Sequence, residues 1–420
     1  MIDLKALREN PEDSKARLSK KNFDSSLIDN VLALDKEKRG LLQEVEQLQA
    51  HRNAVSKLIP TLSGDERERQ IGEMHVVKES LAELEGKLAA HDAELHNLLL
   101  MIPNPPVDDV PFGKDETENV VVRTVGEKPV FNFKPKDHME LAAQHDLIEG
   151  EAAAAMSGSR FYYLKNDLVL WEFALVQFVL NKLVSKGFTP ILPPVLVKEP
   201  AMFATGFFPA DRSDIYHVNP EDDDLYLVGT GEVPLCMLHA DTIMDEGQFP
   251  KRYVAFSTCF RREAGSYGKD TQGIMRVHQF DKLEMFSFCH PDKSEEEHKF
   301  LLSIEEEIMS ELGFHYQVVN ICGGDLGAPA AQKFDIEVWI PSQERFRELT
   351  SCSNCTDFQA RRSNIRYKTE AGPQFAHTLN GTAVAMSRTL LALMENGQQE
   401  DGTIVPPDCL KPYLFGASKK

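Results

Sequence analysis

CFRREAGSYGKDTQGIMRVHQFDKLE, residues 259–284, decides how this chain is read. It begins at the end of a strand-like run, VAFSTCF (254–260). It then turns through a polar, glycine-containing loop, EAGSYGKDTQG (263–273), and resumes as a second strand, IMRVHQFDKLEMFSF (274–288). Alternation along that second strand places Arg276, His278, Phe280, Lys282, Glu284 and Phe286 on one face. That is an odd core face, because Lys and Glu are rarely buried unpaired. The first strand leaves through Arg261 and Glu263. A hairpin would bring Arg261, Glu263, Arg276, Phe280 and Glu284 together. Arginine forks suit phosphate and carboxylate, an aromatic ring can stack on a flat base, and a carboxylate can accept from an amine. A salt-bridged sheet edge is the plainer reading of the same pattern.

Three further stretches carry polar groups at places where a core would be apolar. LVGTGEVPL (227–235) sets Thr230 and Glu232 at a strand end leading into a helix. ELTSCSNCTDFQARR (348–362) contains Glu348 and Ser351 beside the Cys352–Cys355 pair. LNGTAVAMSRTLLALME (379–395) reads as a strand with Asn380 and Thr382, followed by an amphipathic helix carrying Arg388. Strand-like runs at 225–229, 252–260, 276–289, 315–321, 333–339 and 382–387 mix with helical patterns at 137–149, 168–186 and 293–312. Helices and strands do not alternate evenly, and no G-x-x-x-x-G-K-[ST] loop is present. An α+β fold, a mostly antiparallel sheet with flanking helices over 135–420, fits this order.

The first hundred residues differ in kind. Leu34, Leu41, Leu48, Val55 and Leu62 recur every seven residues, with Val31, Val45 and Ile59 three before members of that row. Met74, Leu81, Leu88 and Leu95 repeat the pattern, accompanied by Val77, Leu84, His91 and Leu98. Heptads of this kind lay an apolar seam along a helix. PTLSGDE (60–66) supplies turn residues between them. The spacing predicts an antiparallel helical hairpin over about 27–100, inside an N-terminal domain of residues 1–104. Its outer faces carry Lys36, Lys38, Arg39, Arg52, Lys57, Arg67, Arg69, Lys78 and Lys87 among many acids. They read either as a solvated surface or as contacts to a phosphate backbone. Residues 105–134 read as a linker with a short strand near Val120–Val122.

The chain has 420 residues and a formal charge of −20. Two domains are expected at this length, and the acidity argues against a non-specific nucleic-acid binder. No run of eighteen apolar residues occurs, so no membrane span is expected. The first twenty residues lack a secretory pattern, which makes a cytoplasmic location the expectation. Seven cysteines form no disulfide framework. The Cys352–Cys355 pair lacks the second pair that a closed zinc site needs.

The segment 259–284 resembles the second signature motif of class II aminoacyl-tRNA synthetases, in the form found in seryl-tRNA synthetases. The matching residues are Phe260, Arg261, Arg262 and Glu263, then Arg276, His278, Gln279, Phe280, Lys282 and Glu284. GFTPILPPVLV (187–197) resembles the first class II motif, and 379–395 the third. The resemblance runs along nearly the whole chain, including the N-terminal coiled-coil arm. Gly231, Ala383 and Ala385 depart from the residues usual in the family.

The resemblance implies a serine–tRNA ligase, ATP-dependent and AMP-forming. It would convert L-serine and ATP to seryl-adenylate and pyrophosphate, then pass serine to the 3′-terminal adenosine of tRNA(Ser), with tRNA(Sec) as an additional substrate where the host has it. It assigns serine to Thr230, Glu232, Arg261, Glu284, Asn380 and Thr382. ATP falls to Arg261, Glu263, Arg276, Phe280, Glu348, Ser351 and Arg388, with Arg261, Arg276 and Arg388 as the catalytic cations. Glu348 and Ser351 would hold Mg2+ or Mn2+. The family acts as a homodimer whose arm reaches the long variable arm of a tRNA serving the other subunit. Two other readings stand beside it: an adenylating enzyme that charges a carrier protein, whose chemistry residues would look much the same, and a non-catalytic tRNA-binding scaffold, which should have lost some of Arg261, Glu284, Glu348 or Arg388, all present here.

Overall fold

The computed structural model describes residues 1–264 and 273–414. Most of the loop expected at 263–273 therefore lies outside the described residues. The chain forms two compact units. One comprises residues 2–19 and 23–103, and the other comprises Met1, Lys20–Asn22 and Asn104–Lys420.

The first unit is helical throughout. Short helices Leu4–Glu9 and Pro11–Ser19 precede two long ones, Ser26–Leu58 and Gly64–Met101, joined through a 3-10 turn at Ile59–Thr61. At 1.5 Å per residue the long helices run for about 50 and 57 Å. Val31, Val45, Val55, Leu81 and Leu95 of the heptad rows are buried, and the other members are half-buried. So narrow a seam needs polar support. His91 Nε2 lies 3.4 Å from Glu37, Gln49 donates to Glu85 at 3.1 Å, and Lys38 pairs with Asp92.

The second unit is built on one eight-stranded sheet. Along the chain its strands are β1 (Val120–Val125), β2 (Thr189–Ile191), β3 (Lys251–Phe260) and β4 (Gln279–Cys289), then β5 (Tyr316–Asn320), β6 (Gln332–Ile340), β7 (Arg345–Thr356) and β8 (His377–Ala385). Their order is β1-β5-β6-β7-β8-β4-β3-β2, and every pairing is antiparallel except β2 with β3. Residues 120–125, read from sequence as part of a linker, form an edge strand of this sheet. Helices Asp167–Ser185, Ser294–Glu311 and Met386–Gly397 share one apolar core with Leu283, Met285, Leu379 and Val384. Asp167–Ser185 is the one described helix long and apolar enough to cross a membrane. Eight of its residues, Leu175, Val179 and Leu183 among them, are buried.

Several strand boundaries differ from the sequence expectation. β4 begins at Gln279, so Arg276 and His278 lie on an approach segment and not on the strand. The expected 382–387 run is β8, which starts at His377 and yields to a helix at Met386. β7 has no counterpart among the expected strands.

Two β-bulges decide which side chains share a face. β6 pairs Glu337 with Glu348 but Ile336 with Thr350, leaving Leu349 as the extra residue. β4 pairs Leu283 with Val384 but Glu284 with Thr382, leaving Ala383 extra. Each bulge adds one residue to one strand. Glu348 and Ser351, three apart, consequently lie opposite Glu337 and Asp335 on a single face. Thr382 and Ala385, also three apart, lie opposite Glu284 and Lys282.

Candidate active site

An open cleft of about 530 Å³ lies along this polar face. Eight candidate residues line it: Arg261, Glu263, Arg276, Phe280, Glu348, Ser351, Thr382 and Arg388.

Each charged side chain is held from more than one direction. Arg261 follows β3, and its Nε donates to the Gly229 carbonyl at 3.2 Å. Its guanidinium stands 5.5 Å from the centre of the Phe280 ring. The hairpin stays closed beyond both strand ends, because Arg261 N–H donates to His278 O at 3.0 Å and His278 Nδ1 to Arg261 O at 2.8 Å. Glu263 has left the strand, with φ of 51°, yet Arg276 Nη1 donates to its Oε2 at 3.0 Å. Arg388 Nη1 lies 3.2 Å from Glu348 Oε2 and donates to the Glu348 carbonyl at 2.9 Å. Burial alone would raise the Glu348 carboxyl, but Arg388, Lys333 and Arg261 outweigh it and hold it at about 2.

Thr230, Glu232, Glu284 and Asn380 form a buried polar cluster, tied to the cleft through Lys282 and Thr382, which line it. Glu232 Oε1 accepts from Gln359 Nε2 at 2.6 Å and from Asn380 Nδ2 at 2.9 Å. Lys282, itself only 5% exposed, pairs with Glu284 and donates to Thr230 Oγ1 at 2.8 Å. Thr382 Oγ1 donates to Glu284 at 3.4 Å. Burial, reinforced by the neighbouring Glu284, pushes the Glu232 carboxyl up to about 7. Gln359, Lys282 and Arg261 oppose that rise. Two carboxylates therefore share one buried lysine. A methyl group at Gly231 would stand 3.1 Å from Ala255 Cβ and 3.3 Å from Glu284 Cβ and Ser257 Oγ. Glycine leaves that space free. Ala383 is the bulged residue of β8, and Ala385 lines the cleft.

Lys282 and Gln359 were not among the candidates. Lys282 carried a signal, a lysine alternating with Glu284 on a strand. Gln359 carried none, since it reaches Glu232 from 127 residues away. Cys352 and Cys355 are buried free thiols, raised well above their ordinary range by burial.

The donor set around Ser351 is all oxygen. It comprises the Glu348 carboxylate, the Ser351 hydroxyl and, opposite Ser351 in register, Asp335. Asp335 Oδ1 is buried without a hydrogen-bond partner. Among the described residues no group of three or more His, Cys, Asp or Glu is arranged as a metal cage. Such a set fits a hard divalent ion that takes its remaining ligands from a bound phosphate and water. It does not fit a soft metal.

An antiparallel sheet bearing this arginine-lined cleft is the core of a class II aminoacyl-tRNA synthetase. Residues 216–397 match the tRNA synthetase class II core domain (G, H, P, S and T), and residues 1–106 match the seryl-tRNA synthetase N-terminal domain. A serine–tRNA ligase of Dictyoglomus turgidum is 46% identical over 418 residues, covering 99% of this chain and 98% of its own length. The seryl-tRNA synthetase of Pyrococcus horikoshii complexed with ATP superposes with a TM-score of 0.94 at 40% identity, covering 99% of this chain and 98% of that one. The cytoplasmic serine–tRNA ligase of Naegleria fowleri in complex with AMP superposes with a TM-score of 0.89 at 33% identity, covering 99% and 97%. The chain belongs to the seryl-tRNA synthetase family.

The raised Glu232 pKa has a consequence for stability. Its folded-state value lies above the ordinary 4.5, so its favourable contribution is present in acid and is lost as pH rises toward about 7. Glu232→Gln carries no such dependence. Melting temperatures of the two proteins should diverge between pH 4.5 and 7, with the variant gaining on the parent as pH rises. Parallel curves across that window would contradict the burial of this carboxyl.

Proposed function

We propose that the cleft joins L-serine to ATP, forming seryl-adenylate and pyrophosphate, and then transfers serine to the 3′-terminal adenosine of tRNA(Ser). The observation that carries this reading is one connected surface. A cleft lined with three arginines and Phe280 also carries Lys282 and Thr382, and these two bond to Thr230 and Glu284 of a buried cluster that includes Glu232 and Asn380. The relatives' names, and the ATP and AMP in the two structural neighbours, support the same reaction.

Serine brings its own nucleophile, the carboxylate, so the protein supplies position and charge and not a covalent intermediate. Glu232 and Glu284 take the substrate ammonium. Thr230, Asn380 and Thr382 surround the hydroxymethyl group. Alanine would forgo the hydrogen bonds that a hydroxymethyl group makes to these groups, which discriminates more than a missing methylene does. Threonine is excluded by size. Arg261 bridges the serine carboxylate and the α-phosphate, where negative charge builds up as the carboxylate oxygen attacks. Phe280 stacks on adenine with Glu263 near its amino group, and Arg276 and Arg388 meet the departing phosphates. Glu348 and Ser351 would hold Mg2+, with Mn2+ as an alternative, and the ion would neutralise phosphate charge there.

The helical hairpin is the tRNA-binding part on this reading. Lys36, Arg52, Lys57, Arg67 and Lys78 are exposed on it, whereas Arg39, Arg69 and Lys87 are tied to their own helices' acids. Two chains form the working unit. Phe173, 60% exposed on helix Asp167–Ser185, and Leu192, 80% exposed just after β2 in the first-motif segment, present large apolar side chains, as an interface with a second copy would require. The protein works in the cytoplasm, as its Naegleria relative is described to do.

Three outcomes are expected. Among twenty amino acids, serine should dominate ATP–pyrophosphate exchange, and serine should be attached to a tRNA with a long variable arm. Exchange without charging of any tRNA would point instead to a carrier-protein substrate, and ATP binding without exchange to a scaffold. Changing Arg52, Lys57, Arg67 and Lys78 together to Gln should cut tRNA charging at least about tenfold, because each phosphate contact adds salt-dependent affinity. Exchange should stay within about twofold, and equal loss of both activities would count against the arm's role. Phe173→Glu with Leu192→Glu should halve the mass seen by light scattering, and an unchanged mass would remove this face as the interface.

A further inference from the structure

His138 lies outside the cleft and outside every motif considered above, yet it joins two of the elements that the cleft depends on. It is the first residue of helix His138–His145, whose N-cap, Asp137, completes a capping box with Glu140. The side chain is 8% exposed, and its partner Glu395 is fully buried. Glu395 sits near the end of Met386–Gly397, the helix that also carries Arg388. Its Oε1 accepts from the His138 backbone N–H at 3.0 Å and lies 3.1 Å from His138 Nδ1. Its Oε2 accepts from the Ser342 N–H at 3.1 Å.

The other ring nitrogen faces the segment that leads into β4. Ile274 N–H donates to His138 Nε2 at 3.3 Å, which requires Nε2 to be an acceptor and places the ring proton on Nδ1, toward Glu395. The approach is close. A Cβ on Gly273 would stand 1.9 Å from Nε2, and Gly273 has φ of +77°. Only glycine lets the backbone come this near the ring. One residue further, Arg388 Nε donates to the Met275 carbonyl at 3.3 Å. The next residue is Arg276, reaching into the cleft toward Glu263. The backbone on which Arg276 stands is thus tied twice to the helix of Arg388, once by Arg388 itself and once through Glu395 and His138.

We propose that His138 is a positioning residue for ATP. Oriented by Glu395, it accepts from Ile274 N–H and so sets Arg276 at a fixed place relative to Arg388. This rests on the assignment of those two arginines to the nucleotide. The acceptor at the Nε2 position is what matters, not the bulk or the aromaticity of the ring.

Two variants separate these possibilities. Glutamine at 138 can place an amide oxygen near the Nε2 position, whereas asparagine reaches only as far as Nδ1. His138→Asn should raise the KM for ATP in serine-dependent pyrophosphate exchange about tenfold, the scale of one buried hydrogen bond, with the KM for serine unchanged. His138→Gln should return the ATP KM to within about twofold. A folded His138→Asn protein with the parent's ATP KM would overturn the proposal. So would equal rises in both KM values, or equal losses in the two variants, since those mark general loosening. Hydrogen exchange in the unaltered protein gives a test that needs no variant. The Ile274 amide should exchange slowly, and fast exchange there would overturn the proposal. If the unaltered protein shows no serine-dependent exchange at all, the nucleotide reading fails, and the Ile274 amide still decides whether the His138 contact exists.

Discussion

Two carboxylates buried within reach of one lysine set the terms for the rest of this site. Glu232 and Glu284 are both buried, where an uncompensated charge is costly. Lys282 answers one of them, and the amides of Gln359 and Asn380 answer the other with hydrogen bonds but no charge. The mismatch appears in the Glu232 carboxyl, pushed up to about 7. On the proposed reading a substrate ammonium makes up the deficit. The pocket's preference for an amino acid is then a matter of charge balance as well as of shape. The hydroxyls of Thr230 and Thr382, already oriented by Lys282 and Glu284, add a preference for serine by bonding its hydroxymethyl group as well.

The sheet delivers these groups to one surface through irregularity. In a regular strand, residues three apart point to opposite faces. The bulges at Leu349 and Ala383 reverse that for Glu348 with Ser351 and for Thr382 with Ala385. Without them, the acidic and hydroxyl ends of the cleft would not share a face. The back of the same strands stays apolar, with Leu283, Leu349 and Val384 in the core shared with three helices. A polar working face and a dry supporting face can therefore occupy the same few residues.

How much of this can be read in the sequence depends on periodicity. The hairpin is legible because its heptads are long and regular, and five of the eight buried positions of its two helices, Val31, Val45, Val55, Leu81 and Leu95, fall on the predicted rows. β4 is legible because its ionic and aromatic residues alternate, although its first three expected positions belong to the approach segment. β7 is not legible. RFRELTSCSNCT has few large apolar residues, lies between two other strands, and carries a bulge that breaks its alternation. The start of β8 is hidden for a similar reason, in the polar run HTLNG. Glu348, Ser351, Asn380 and Thr382 are found by resemblance to a family and not by pattern. Gln359 and His138 act through partners more than a hundred residues away, a relation that no local spacing encodes.

The most direct test is a crystal structure of the chain bound to a non-hydrolysable seryl-adenylate analogue, the sulfamoyl mimic of the intermediate. The serine ammonium should lie within hydrogen-bond distance, about 2.7–3.2 Å, of both Glu232 and Glu284. The hydroxymethyl group should face Thr230, Asn380 and Thr382, and the adenine should stack on Phe280. An ammonium directed away from those two carboxylates, or an adenine seated elsewhere, would contradict the charge-balance explanation of this pocket.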